Sequence, residues 1–141
     1  MSAEKKTVGR CVHPQRGEPT VQIMAMPRDT NWLGDIFGGW LMSHADMAGA
    51  ILAYRRAGGK VVTVAIDDFL FLKPVYTGDV VTFFCRLIKV GSSSMKVAVE
   101  MVAERPGTGP GEEIKVSQAT ITYVHIGDDR KPQAIPAEHP R

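Results

Sequence analysis

Apolar and polar positions alternate loosely in EPTVQIMAM (18–26), which predicts a first strand. PRDTNWLG (27–34) breaks the alternation with Pro, Asp, Asn and Gly and reads as a loop. From about 37 to 56 apolar residues then fall on nearly every side of a helical projection, the pattern of a buried helix. AGGK (57–60) ends it, glycine being the usual residue just past a helix terminus. Four β-rich runs follow: KVVTVAIDDFLFLKP (60–74), DVVTFFCRLIKV (79–90), MKVAVEMVAER (95–105) and EIKVSQATITYVHI (113–126). A TGD turn enters the second, GSSS (91–94) makes a hairpin into the third, and PGTGPGE (106–112) leads to the last. In that last run Ile114, Val116, Gln118, Thr120 and Thr122 share one face, and Ala119, Ile121 and Tyr123 the other.

The order is a strand, one long helix, then four strands with mostly short connections, so an α+β fold with an antiparallel sheet is expected. One sheet and one helix bury their apolar surfaces together when the sheet curls around the helix. Gly38, Gly39, Ala45, Ala48, Gly49, Ala50 and Ala53 keep that helix thin, which lets strands approach closely. The 141 residues suit a single domain at 18–126, between a flexible N-terminal tail (1–17) and a polar C-terminal tail (127–141). A chain of this size needs no disulfide or metal staple.

Composition narrows the classes. A net charge of +2 is too small to argue for nucleic acid, and the basic residues Lys5, Lys6 and Arg10 read as a solvated tail. Cys11 and Cys85 form no CxxC pair and no metal spacing with a histidine, which fits a reducing compartment. Residues 1–20 have no signal-peptide core, and no stretch approaches the roughly 20 apolar residues of a membrane span. A cytoplasmic protein, away from membranes, is expected.

Several apparent motifs dissolve on inspection. Ser43, His44 and Asp46 resemble a triad, but successive helical residues turn about 100°, so they do not converge. His44 is then expected at the surface or at an interface. Asp67–Asp68 has no supporting histidine or carboxylate cluster and reads as a bulge or strand edge. GDIFGG (34–39) lacks both the spacing and the parallel βαβ setting of a phosphate loop.

Asp46 is different. A carboxylate inside an apolar helix is costly unless it has partners. It is therefore either held by an unseen neighbour or a general base or nucleophile in a partly desolvated pocket. Gly38 and Gly39, near the helix start, can bring bare N–H groups against a developing negative oxygen. Gly39 and Asp46 are seven residues apart, about 10 Å along a helix. One carbonyl cannot touch both, so a reaction using both needs two copies of the chain, with two sites per dimer.

DTNWLGDIFGGWLMSHADMAGAI, VVTVAIDDFLFLKPVYTGDVV and IKVGSSSMKVAVE together resemble the YciA-type acyl-CoA thioesterases of the hotdog-fold superfamily, over about residues 20–125. The resemblance implies a central helix wrapped by a curved antiparallel sheet. It also implies metal-independent hydrolysis of acyl-CoA, with no cofactor, CoA being part of substrate and product. It assigns Asp46 as base or nucleophile, Asn31 as a partner acting from the opposite protomer, and Gly38 and Gly39 as donors to the thioester carbonyl. Lys73, Ser93 and Ser94 become candidates for CoA contacts and Phe37 for the substrate surface. Met42, Met47, Phe69 and Phe71 are candidates for setting acyl-chain depth. Dimers grouped as a hexamer are implied as well. This chain carries Ser92 where close relatives often have arginine, Leu33 where they have asparagine and Asp67 where they have glutamate. Two other functions compete. A hotdog hydratase or dehydratase would need a catalytic histidine motif that is not seen here. A non-enzymatic acyl-CoA-binding regulator would usually adjoin a DNA-binding segment, and none is evident.

Overall fold

The computed structural model describes residues 16–107 and 112–138. The basic N-terminal residues and Cys11 lie outside them, as do His13 and His139. The chain runs through β1 (Glu18–Met24), a 3-10 turn (Pro27–Asp29), α1 (Gly38–Ala57), β2 (Val61–Phe71), β3 (Val80–Val90), β4 (Ser94–Glu104) and β5 (Glu113–His125). The strands form one antiparallel sheet in the order β1-β3-β4-β5-β2. Helix α1 packs against all five strands. Gly58 ends it in the left-handed region, φ 74°, with its N–H on Tyr54 O at 2.8 Å. Among the described residues no helix is long and apolar enough to cross a membrane.

The core follows from complementary sizes. Leu41, Ala45, Ala48 and Ala53 of α1 are buried against Phe83, Val97, Met101, Ile121 and Tyr123 of the sheet. Small helix residues bring the axis close, and the large strand residues fill the space.

The sequence pattern predicts a helix buried on nearly every side, but in one copy of the chain one side is uncovered. Gly39, Met42, Ser43, Met47 and Tyr54 recur at three-, four- and seven-residue spacing and are exposed. Beside them β2 is an edge strand with Val62, Val64, Leu70 and Phe71 exposed. One copy of the chain therefore leaves an apolar helix face and an apolar sheet edge open together.

Bulges rewrite the expected faces of two strands. Met101 pairs with Ser117 but Val102 with Lys115, so Val116 is an extra residue in β5. That residue shifts the pleat. Ile114 and Val116 pack on the core with Ala119, Ile121 and Tyr123, not on the opposite face with Gln118, Thr120 and Thr122. The freed Val116 carbonyl accepts the Leu72 and Lys73 N–H groups at 2.9 and 3.3 Å. In β2, Asp68 and Phe69 together face the single residue between Gln118 and Thr120, with Asp68 at φ 52°. Asp68 thus sits in a bulge on an edge strand, and Asp67 is the paired residue just before it, close to what the sequence suggested. A second β2 bulge leaves Val64 unpaired between Thr63 and Ala65.

Residues 127–138 fold back as a strap. Gln133 N–H bonds to His125 O and Ile135 N–H to Ser92 O, both at 2.8 Å, and Ile135 packs on the core.

Candidate active site

Asn31 organises the loop before α1. Its Oδ1 accepts the Leu33 N–H at 2.8 Å and the Asp35 N–H at 3.2 Å, and its own N–H bonds to Asp35 O at 2.7 Å. Both Nδ2 hydrogens are left for another acceptor. Leu33 gives the loop its N–H, not its side chain, so the departure from asparagine at that position leaves the loop intact. Ile36 N–H on Val75 O (2.8 Å) and Phe37 N–H on Asp29 O (3.0 Å) fix the entry to the helix.

Phe37 is the N-cap, half exposed, and makes no side-chain hydrogen bond to the first turn. The Gly38 and Gly39 N–H groups thus have neither an intrahelical acceptor nor a side-chain cap. The two glycines differ in their reasons. A Cβ on Gly38 would stand 2.9 Å from the Phe71 ring, so Phe71 packs over the helix start only because residue 38 is bare. A Cβ on Gly39 would meet nothing within 4 Å. Packing within the chain does not require glycine there, and the bare backbone faces open space. A cleft of about 300 Å³ joins Asn31, Asp35, Gly38, Leu41, Phe71 and Lys73.

Asp46 lies further along the same helix, outside that cleft, and is only partly buried in one copy of the chain. Its unseen partner is Thr63, whose Oγ1 donates to Oδ1 at 2.6 Å. Tyr123 donates its hydroxyl to the backbone carbonyl of Asp46, also at 2.6 Å. No local pattern announces either contact, since they come from strands 17 and 77 residues away. Oδ2 is left for a water or a substrate. Met42 and Met47 flank Asp46 on the open helix face, whereas Phe69 and Phe71 stack at 4.8 Å on β2.

The remaining candidates are dispersed. Ser93 and Ser94 sit in the β3–β4 hairpin, where the Ser93 carbonyl takes the His125 N–H at 2.8 Å. Lys73 is beside Val116, at the other end of β5, so one chain keeps Lys73 about 25 Å from the serines. His44 turns away from Asp46, with Nδ1 on Trp40 O at 2.9 Å and its ring 4.6 Å from that of Trp40. No triad forms. The Cys85 thiol is buried in β3 and pushed up to about 11 by that burial, which leaves no nucleophile at neutral pH. Among the described residues no group of three or more His, Cys, Asp or Glu side chains could hold a metal ion.

Comparison with known proteins places the chain in a family. The family model described as the thioesterase superfamily matches residues 33–110. The acyl-CoA thioester hydrolase YciA of Salmonella typhimurium is 43% identical over 124 residues, covering 87% of this chain and 93% of that one. The hexameric thioesterase y2039 of Yersinia pestis superposes with a TM-score of 0.80 at 45% identity, over 86% of this chain and 97% of that chain. HI0827, a hexameric broad-specificity acyl-coenzyme A thioesterase solved as an aspartate-to-alanine mutant, gives 0.83 at 44% identity, over 86% and 88%. With one helix wrapped by five antiparallel strands and this degree of identity, the chain belongs to the hotdog-fold thioesterase superfamily, among its YciA-type acyl-CoA thioester hydrolases.

Proposed function

We propose that the protein hydrolyses acyl-CoA thioesters to a free acid and CoA, at a site completed by a second copy of the chain. The observation that carries this reading is the placing of Asp46. It is held by Thr63 on a helix face left open, about 10 Å from the bare amides at the start of the same helix. A second copy laid on that face and on the β2 edge brings its own helix start to Asp46. The relatives that are hexamers support assembly, and a hexamer of three such dimers is the form proposed here.

The chemistry then needs no metal or cofactor. The thioester carbonyl accepts the Gly39 N–H and an Asn31 Nδ2 hydrogen, both at one helix start. Asp46 of the other copy takes a proton from water, whose oxygen bonds to the carbonyl carbon. The C–S bond breaks and its electron pair leaves on sulfur as thiolate. Alternatively Asp46 attacks that carbon itself, the thiolate leaves, and water opens the resulting anhydride. Gly38 serves this by seating Phe71. Phe37 and Lys73 border the substrate, and Ser93 and Ser94 of another copy lie toward the nucleotide end of CoA.

Complementation between two disabled chains tests the shared site. Asn31→Ala and Asp46→Asn chains are each expected to release little thiol from acyl-CoA. Mixed dimers contain one intact site of two, so co-assembly at equal amounts is expected to restore about a quarter of wild-type turnover. Absence of any recovery in verified mixed dimers would place the whole site in one chain. Binding of acyl-CoA by wild type without thiol release would turn the reading to a regulator. Thr63→Val is expected to lower kcat about tenfold by freeing the Asp46 carboxylate to rotate, with KM nearly unchanged. Thr63→Ser should recover most of it, and equal kcat in all three chains would remove Thr63 from the site.

A further inference from the structure

We infer that Tyr123, seated by Gly49, is a positioning residue that sets the height of Asp46 on the helix. The inference rests on the reading of Asp46 given above. Thr63 and Tyr123 are directly paired residues of the β2–β5 ladder. Their hydroxyls reach up from one rung to the two ends of one residue. Thr63 grips the Asp46 carboxylate, and Tyr123 grips its backbone carbonyl, each at 2.6 Å. The strand pair thereby fixes the helix relative to the group that orients the carboxylate. The Val64 bulge follows Thr63 immediately, where a bulge re-aims neighbouring side chains.

The carbonyl of a residue inside a helix already accepts the N–H four residues on, and its second lone pair is available. A side chain rarely reaches it from the packed face, because Cβ atoms of the next turn stand in the way. Here the obstacle is missing. Gly49 is three residues beyond Asp46, and a Cβ there would stand 3.0 Å from Tyr123 Cε2 and closer still to the hydroxyl. Gly49 is absent from the positive-φ residues, so backbone geometry does not call for glycine. Glycine inside a helix is unfavourable against alanine. The space it leaves is occupied by the tyrosine hydroxyl. Burial raises the pKa of this phenol, and the nearby Asp46 raises it further, so the hydroxyl stays protonated and a donor over the working pH range.

Tyr123 is fully buried and does not reach a substrate on the open helix face. Its effect passes through Asp46. A carboxylate displaced by about 1 Å loses up to about a hundredfold in rate, while substrate binding elsewhere is untouched. Loss of the hydroxyl therefore acts on kcat.

The test uses the full chain and its acyl-CoA turnover. Tyr123→Phe keeps the ring in the core and deletes only the donor. Its kcat is expected to fall about tenfold with KM within about twofold of wild type. Gly49→Ala, where it folds, should fall similarly, and the double variant should fall little further because both changes break one hydrogen bond. Val102→Ala, a buried change seven residues along β4 from the Met95–Tyr123 rung, supplies the control for lost stability and should leave kcat unchanged at a comparable melting temperature. Wild-type kcat in Tyr123→Phe, beside an inactive Asp46→Asn, would overturn the positioning role. So would a kcat loss in Val102→Ala equal to that in Tyr123→Phe. Full turnover by Asp46→Asn would overturn it through the reading on which it rests.

Discussion

Asp46→Asn is expected to fold and assemble like wild type and to release CoA thiol about 10²–10⁴-fold more slowly. The fold should survive for a local reason. Asp46 is only partly buried, asparagine has nearly the same shape, and its amide oxygen can still accept the Thr63 hydroxyl. What is lost is the anionic oxygen that takes a proton from water or attacks the carbonyl. A thiol-reactive dye, with acyl-CoAs of increasing chain length, reads the rate. A melting curve and a sizing column confirm that the same assembly is measured. Turnover equal to wild type on every substrate would leave Asp46 as a structural residue held by Thr63. Single-turnover reaction of wild type in ¹⁸O-water can reveal the covalent route. Label found in the Asp46 carboxylate requires an anhydride opened at the enzyme carbonyl, which a general base does not form.

Local signals in the sequence predict the elements closely, and tertiary pairing supplies what they miss. The helix expected at 37–56 is observed at Gly38–Ala57, because glycines mark both ends and small residues fill it. The last four runs coincide with β2 to β5, since each carries its own turn residues. The faces of β5 are misread at one point. Alternation tells which residues share a face only while the register is unbroken, and the Val116 bulge depends on pairing with Met101 and Val102. Asp46 stands out in the sequence because an isolated carboxylate in an apolar helix is rare. Its grips do not stand out, because threonine and tyrosine are ordinary residues in strands. Gly49 reads as one more small packing residue until Tyr123 is placed beneath it. The apolar character of the helix on all sides fits the assembly proposed here, and one copy of the chain leaves the face that carries Asp46 bare.

Arg105→Met is expected to destabilise the protein by about 3–5 kcal/mol, the usual cost of stranding a buried charge. Asp79, fully buried at the entry to β3, is held in a fork by Arg105: Nε meets Oδ1 at 3.0 Å and Nη2 meets Oδ2 at 2.9 Å. The Tyr76 N–H adds 3.0 Å to Oδ2, and the guanidinium lies 4.7 Å over the Tyr76 ring. The pairing with Asp79 raises the Arg105 pKa, so the cation persists at any working pH. Removing it leaves a carboxylate with one amide donor and no access to water. For a chain of this length the melting temperature should fall by roughly 10–15 °C. The cost should be partly reversible. Adding Asp79→Asn to Arg105→Met replaces the stranded charge by a neutral acceptor that can keep the Tyr76 N–H, so the double variant should melt above Arg105→Met alone. A double variant that melts lower, as the sum of two independent losses, would show that the charge pair is not the source of the effect. The consequence reaches the active site through the backbone. Tyr76 bridges to Asp35, and Asp35 closes the loop in which Asn31 is held. At a temperature where Arg105→Met is still folded, its kcat should therefore fall with loosening of the Asn31 loop, while the distant Thr63–Asp46 grip stays intact.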